Sequence, residues 1–391
     1  MFTKVFGVVA AACLVAAPAR AQAPLHGVSD SEILLGSVTA LSGPAAFAGV
    51  AETATLQMGI DEINAAGGIH GRKLRLIAED AQYQVPRAVQ AANKLISRDK
   101  VFLMVANIGT PMNLAIFPEQ FKANIPNMFP ASQARQMWLP FDRLKFVAAS
   151  GYYDQARSTI SWMVQAKGKK NVCALYQDTD FGKETLDGVK DQAAASKIPV
   201  AETAGYRPTD TDFTAHILKL RAAKCELVLL GSLVRDSILI YTSIRKNGWT
   251  DVDVVGNAAG YDPVVAAAPG MDGYYAATSA LVPLRDEAPA PVQRWIDAYK
   301  KRTGSDPSTS AINGQVAIDL IRIGLERAGK NLSVETFIAG MESIRDYHDM
   351  FGGPEQNYSA TSHQGTRSSF LTELKGGKFI PLSKEPVDYK D

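Results

Sequence analysis

A two-lobed α/β fold with parallel central sheets is the class this sequence predicts, on three observations. Short β-branched runs alternate with longer segments of helical spacing between residues 32 and 278. The alternation breaks into two series near residue 148, and a mostly helical stretch follows over 291–344. The 391 residues leave room for two domains of ordinary size.

The first unit sets the pattern. Residues 33–38 are a β-branched and leucine-rich run, and Ser42-Gly43-Pro44 must then turn the chain, because no strand tolerates that tripeptide in its middle. Over 46–66 the apolar residues Leu56, Ile60 and Ile63 return at helical spacing, with Asp61, Glu62 and Asn64 on the wetter side. Gly67-Gly68 stops this helix and a second strand follows over 74–80. In open parallel sheets small molecules bind beyond the carboxyl ends of the strands. The loop 39–49, with Ser42 and Phe47, is therefore a candidate binding wall.

A helix over 85–98, a strand over 101–106, a helix over 112–122 and short strands near Asn127 and Phe146 complete the first series. The second series reads helix 154–165, strand 172–177, helix 182–196, strand 200–205, helix 212–223, strand 227–231, helix 236–247, and strands 252–256 and 273–278. In the helical stretch, Ile312, Val316, Leu320, Ile323 and Leu325 lie along one face, the pattern of core packing.

The stretch TALSGPAAFAG, followed by Gly59-Ile60-Asp61-Glu62-Ile63-Asn64-Ala65-Ala66-Gly67-Gly68-Ile69-His70-Gly71-Arg72, resembles the type I periplasmic binding proteins. More narrowly it is similar to the branched-chain amino acid (leucine/isoleucine/valine) branch of ABC-transporter solute receptors. The likeness runs over almost the whole mature chain, and Asn-Ala-x-Gly-Gly-Ile-x-Gly-Arg is its specific element. Its glycines follow a helix and precede a strand, the wrong order for a phosphate-cradling loop, so they read as a helix stop and turn. The resemblance implies two Rossmann-like lobes with parallel central sheets joined by a three-strand hinge, a Venus flytrap. Lobe 1 would take 28–147 plus 281–349, and lobe 2 would take 148–280 plus 350–387. Gly352 and Gly353 supply backbone freedom at the last crossing.

Lys4, a small apolar run over 5–17, Pro18 and Ala19-Arg20-Ala21 fit a secretory signal over 1–21, cleaved before Gln22, which directs the chain to the periplasm. The apolar run is shorter than the roughly 20 residues a spanning helix needs. After cleavage Cys173 and Cys225 remain, both at the starts of predicted strands. If those strands are neighbours the two side chains can form a disulfide, and two buried free thiols are the alternative. The tail ending Asp388-Tyr389-Lys390-Asp391 reads as loose.

The net charge of +1 gives no electrostatic case for nucleic acid or a membrane surface. Signatures of catalysis are missing: no G-x-S-x-G, H-E-x-x-H or Walker loop occurs, and no G-x-G-x-x-G follows the first strand. His26, His70, His216, His348 and His363 are scattered singly, with no second ligand at a helical or turn spacing, so no metal or cofactor is expected. Asp178 and Asp180 lie close together, but Asp180 also stands where a helix N-cap is needed.

Candidate ligand contacts follow from strand ends. Asn107-Ile108-Gly109-Thr110 closes one strand and opens a helix, offering backbone N–H groups, a hydroxyl and a partial positive charge to a carboxylate. The alternative there is a plain helix cap. The resemblance implies that this loop and Ala131-Ser132-Gln133 grip the substrate carboxylate, and that Tyr152 or Tyr153 contributes a contact from the second lobe, Tyr152 the better candidate. Arg235 suits either a bidentate pair with a ligand carboxylate or a salt bridge with Asp236. In the loop Asn257-Ala258-Ala259-Gly260-Tyr261, Ala258 stands where amino acid-binding relatives carry an acid that pairs with the α-ammonium group. A buried ammonium without a counter-ion is expensive. The expected ligand is therefore a small organic acid without an amine. Phe47, Tyr152, Tyr153 and Tyr261 offer flat apolar walls suited to an aromatic carboxylate. The implied partner is an ABC permease in the inner membrane, served by a monomeric receptor.

Overall fold

The computed structural model describes residues 26–389; the leader expected at 1–21 lies outside them. The first sheet holds β1 (Glu32–Thr39), β2 (Lys73–Asp80), β3 (Leu103–Val105), β4 (Asn127–Met128) and β5 (Lys145–Phe146), all parallel, in the order β2-β1-β3-β4-β5. α1 (Ala46–Ala65), α2 (Val85–Asn93) and α3 (Thr110–Lys122) connect them. Two of the expected elements depart from their apolar runs. The strand expected over 101–106 pairs only in its middle, where Leu35 and Gly36 face Leu103 and Met104, and Ala106 turns away at φ +54°. The helix expected over 85–98 widens into a π-turn at Lys94–Asp99 and ends on Lys100 in the left-handed region.

The second sheet has seven strands. β6 (Val172–Gln177), β7 (Val200–Tyr206), β8 (Leu227–Gly231), β9 (Asp253–Gly256) and β10 (Tyr275–Thr278) are parallel. β11 (Phe370–Lys375) and β12 (Lys378–Pro381) add an antiparallel hairpin, giving the order β12-β11-β10-β9-β8-β6-β7. α4 (Tyr152–Lys167) and α5 (Asp180–Ala195) cover one face; α6 (Thr214–Ala222), α7 (Val234–Lys246) and α8 (Pro263–Ala267) cover the other. Asp180 is the first residue of α5 rather than its cap, and Thr179 holds the cap position. α4 begins two residues earlier than expected because the Asp154 carboxylate turns back to accept from the Gly151 N–H, at 3.2 Å.

α9 (Ala290–Thr303), α10 (Thr309–Ala328) and α11 (Val334–Glu342) return to the first sheet. The chain therefore crosses between the lobes three times: after β5, after β10, and between α11 and β11. Ile312, Val316, Leu320 and Leu325 are buried, and Ile323 is half-buried at the edge of that core. α10 lies against α1 at close range. A Cβ on Gly314 would meet the Glu52 carbonyl oxygen at 2.8 Å and Thr55 Oγ1 at 2.7 Å, and one on Gly59 would meet Ile318 Cγ2 at 2.5 Å.

Cys173 in β6 and Cys225, just before β8, are disulfide-bonded with Cα atoms 5.8 Å apart, which settles the alternatives left open by the sequence. β6 and β8 pair directly, with Cys173 opposite Val228. Among the described residues no helix is long and apolar enough to cross a membrane.

Two expected outcomes follow. The bridge closes a sequence separation of 52 residues, so the Cys173→Ala/Cys225→Ala variant should lose about 4 kcal/mol of unfolding free energy. Reductant should reproduce the shift in denaturant titrations of the parent; an unchanged midpoint would speak against a stabilising bridge. Gly314→Ala gains about 1 kcal/mol of helix propensity. Overpacking against a backbone oxygen that cannot rotate away costs about 1–3 kcal/mol, so a lower melting temperature is expected, and a higher one would overturn the close-approach account.

Candidate functional site

The carboxyl ends of both sheets face a common cleft enclosing about 1000 Å³ of atom-free space, part of it open to solvent. From the first lobe come Phe47 and Glu52 of α1 and the loop after β4, including Phe129, Ala131, Ser132 and Gln133. From the second come Tyr152 at the start of α4 and Ala258, Tyr261 and Asp262 after β9. α10 contributes Thr309, Ser310 and Asn313, and the last crossing contributes Asp349 and Gln356.

A smaller cavity of about 350 Å³ adjoins it, sharing Ala131, Tyr152 and Ala259, and is lined by Ile108, Gly109, Thr110 and Tyr83. The start of α3 borders this cavity with the positive end of its dipole; Pro111 carries no N–H, and the Gly109 N–H donates to the Ala131 carbonyl at 3.1 Å. Gly109 has φ +82°, and a Cβ there would meet Met112 Cε at 2.1 Å. Thr110 Oγ1 and Ser132 Oγ are 2.7 Å apart, so the two loops expected to grip a carboxylate are hydrogen-bonded to each other.

Two contacts join the lobes across the cleft floor, both on Gln133, and a third within the second lobe extends them. Gln155 Nε2 donates to Gln133 Oε1 at 2.6 Å, the Ala258 N–H donates to Gln155 Oε1 at 2.9 Å, and the Tyr152 N–H donates to the Gln133 carbonyl at 2.9 Å. Beside them Arg135 forms a bidentate pair with the buried Glu184, at 2.9 and 3.1 Å, and reaches Asp187 at 2.8 Å.

Of the residues singled out in the sequence, Phe47, Ala131, Ser132, Gln133, Tyr152, Ala258 and Tyr261 line the main cleft, and Ile108, Gly109 and Thr110 line the adjoining cavity. Five others are engaged elsewhere. The Ser42 hydroxyl donates to Asp80 at 2.6 Å. Asn107 is fully buried, where Oδ1 accepts the Val38 N–H and Nδ2 donates to Asn127. Tyr153 turns outward, its hydroxyl on Asp191 at 2.7 Å and the Arg135 guanidinium 3.9 Å above its ring. Arg235 pairs with Asp236 at 2.6 Å and bonds the Pro208 and Asp210 carbonyls, the salt-bridge alternative weighed above. Asn257 caps the turn that follows it by accepting from the Ala259 N–H, and donates to Thr185.

Sequence reasoning passed over Glu52, Asp262 and the first turn of α10. The signal for Glu52 was present: it stands at the head of the stripe Glu52, Leu56, Ile60, Ile63, an acid in an apolar row. Burial holds its carboxyl well above the usual range. Burial likewise pushes Asp262 up to about 6 although it accepts from the Val264 N–H, and pushes the Tyr261 phenol up to about 12 although it accepts from the Val282 N–H. No Lys or Arg among the described residues lines the cleft.

Two parallel-sheet lobes with a cleft at the strand ends and three crossings define a solute receptor that holds a small molecule between its halves. The chain belongs to the periplasmic binding protein family, which it matches over residues 32–378. Members bind a small molecule in the periplasm and work with an ABC permease. The chain is 24% identical over 352 residues to Leu/Ile/Val-binding protein homolog 8 of Brucella abortus, covering 85% of this chain and 87% of the relative. A fatty acid ABC transporter substrate-binding protein from Thermomonospora curvata superposes with a TM-score of 0.83 at 22% identity, covering 94% of both chains. A solute-binding protein of R. palustris in complex with benzoate superposes with a TM-score of 0.80 at 20% identity, covering 92% of this chain and 98% of the other. At these identities the superpositions show the fold alone.

Asp262 yields a pH prediction. A carboxyl raised by burial favours the folded state fully below its unfolded value of 3.8, and that contribution is lost as pH rises through about 6. Asp262→Asn keeps an oxygen to cap α8. It should raise the unfolding free energy by up to about 3 kcal/mol at about pH 8 and change little at about pH 4. Equal effects at both pH values would contradict the assignment.

Proposed function

We propose that the chain is the periplasmic substrate-binding protein of an ABC importer, capturing a small, largely apolar organic acid, with aromatic carboxylates the leading class, and delivering it to the permease. The carrying observation is at Ala258. Where related amino acid receptors place an acid for the α-ammonium group, this chain has a methyl group whose backbone N–H is already bound to Gln155. The Ile108, Gly109 and Ala131 N–H groups are bonded to backbone carbonyls, so the Thr110 and Ser132 hydroxyls beside the start of α3 are what suits one carboxylate, and Phe47, Phe129, Tyr152 and Tyr261 suit an apolar body. The benzoate and fatty acid ligands of fold relatives fall in the same class.

In this reading a signal over 1–21 exports the chain, which acts as a monomer without catalysis or cofactor. The lobes, 28–147 with 281–349 and 148–280 with 350–387, rotate about the three crossings. Ligand stabilises the closed state by its differential affinity, and the permease meets surfaces aligned only on closure. A sensory receptor with the same fold would share this binding site, and capture of a sensor kinase in place of a permease would mark it.

A receptor for a branched-chain or other amino acid is the second reading. It is favoured by the carboxyls of Glu52 and Asp262 in the cleft and by the name of the Brucella relative. Titration calorimetry with benzoate, cinnamate, leucine and valine separates the two. Micromolar or tighter binding of an acid with no leucine heat is expected; strong leucine binding would overturn the organic-acid reading.

A further inference from the structure

Glu52 is the one cleft acid without a partner. Its side chain is 4% exposed, lines the cleft together with Ser132, Gln133, Tyr152 and Asn313, and has no hydrogen bond or ion pair among the described residues. The other two acids are engaged: Asp262 accepts the Val264 N–H at 2.9 Å, and Asp349 accepts those of Phe351 and Gly353 at 2.7 and 3.1 Å. With no Lys or Arg on the cleft wall, an ionised Glu52 would be an uncompensated buried charge beside a carboxylate ligand. Burial opposes that ionisation and holds the proton on Glu52. A buried carboxylic acid presents one O–H donor to the cleft, and that donor needs an acceptor.

The loop that opens α3 lies in the adjoining cavity, whose walls do not include Glu52. Ser132 lines the cleft with Glu52 and is hydrogen-bonded to Thr110 of that cavity, so a carboxylate on the Thr110 and Ser132 hydroxyls leaves Glu52 to offer a single donor to the rest of the ligand. We propose that Glu52 is a specificity residue of this site, donating its O–H to a second oxygen, oxo or hydroxyl, of an apolar carboxylic acid. The inference rests on the organic-acid reading and narrows it from plain acids to oxygen-substituted ones.

Two cleft carboxyls are raised by burial, Glu52 and Asp262, so the pH dependence due to Glu52 is read as the difference between parent and variant. Across the cleft stand the phenols of Tyr152 and Tyr261, both raised by burial, and the carboxyls of Asp262 and Asp349. α10 faces it with the uncharged Ser310, Asn313 and Gly314, and carries Asp319 and Arg322 further along. α9 meets α1 through Arg302 on Asp61, and the nearby end of β2 carries Asp80, occupied by Ser42.

The test uses the full chain and matched probes, benzoate with 4-hydroxybenzoate, hexanoate with 5-oxohexanoate, and leucine, in titration calorimetry across pH. In at least one pair the oxygenated acid should bind about tenfold more tightly. Glu52→Gln, which keeps a donor, should hold that preference within about threefold, and Glu52→Leu should abolish it. The parent's affinity should fall by up to about tenfold per pH unit above the Glu52 pKa, because an ionised carboxylate neither donates nor tolerates the anion; Glu52→Gln should lose that part of the dependence and keep only the part that Asp262 contributes. Unchanged thermal unfolding of both variants confirms folding. Equal binding of both members of each pair, unaffected by Glu52→Leu, would overturn the inference and leave the organic-acid reading standing. Tight leucine binding abolished by Glu52→Gln would overturn both, since Glu52 would then be the ammonium's ionised partner. Failure of every acid to bind would also count against both.

Discussion

The approach of α10 to α1 is the contact on which the rest of the molecule depends. Gly314 lets the two helices meet at backbone distance against Glu52 and Thr55, and Gly59 does the same against Ile318. α10 arrives only after the chain has built most of the second sheet, so this packing pulls a distant segment back onto the first lobe and forces the second and third crossings. The same contact delivers Thr309, Ser310 and Asn313 to the cleft and places Glu52 where water is excluded. Fold and site chemistry are therefore set by one interface. A wider spacing would hydrate Glu52 and return it to an ordinary surface acid.

The polar contacts around Gln133 and Arg135 differ in strength. The Gln133, Gln155 and Ala258 chain is made of neutral hydrogen bonds on the cleft floor, each worth about 0.5–1.5 kcal/mol net and readily exchanged with water or ligand. Arg135 and Glu184 form a charge-assisted fork in which the carboxylate is almost wholly buried, a stronger and more directional link. Such a pair favours one relative placement of the lobes without filling the ligand space.

Most of the architecture was legible in the sequence, because alternation of β-branched runs with helical spacing is a local property. Strand β6 and strand β8 were read to the residue, and the misreadings at α4 and the π-turn after α2 arise from caps and widening that apolar spacing does not encode. The loops around 108–110 and 131–133 were visible as strand ends. Asn107, Tyr153 and Asn257 are polar residues at strand ends whose side chains are held by partners from distant segments, whereas for Arg235 the neighbouring Asp236, one of the two partners the sequence offered, holds the guanidinium. Glu52 was missed in the opposite way. An acid at the head of an apolar stripe looks like an edge residue until a helix some 260 positions later is known to cover it.

The disulfide between Cys173 and Cys225 lies wholly within one lobe. Among the described residues the other lobe carries no disulfide, so the bridge weights the two halves of the molecule unequally. In an oxidising compartment the cross-linked half has fewer unfolded conformations to reach, and the uncross-linked half governs when cooperativity is lost. Under reducing conditions the two halves become more evenly matched. Redox state thereby sets how many steps unfolding takes, and which half opens first, in addition to total stability.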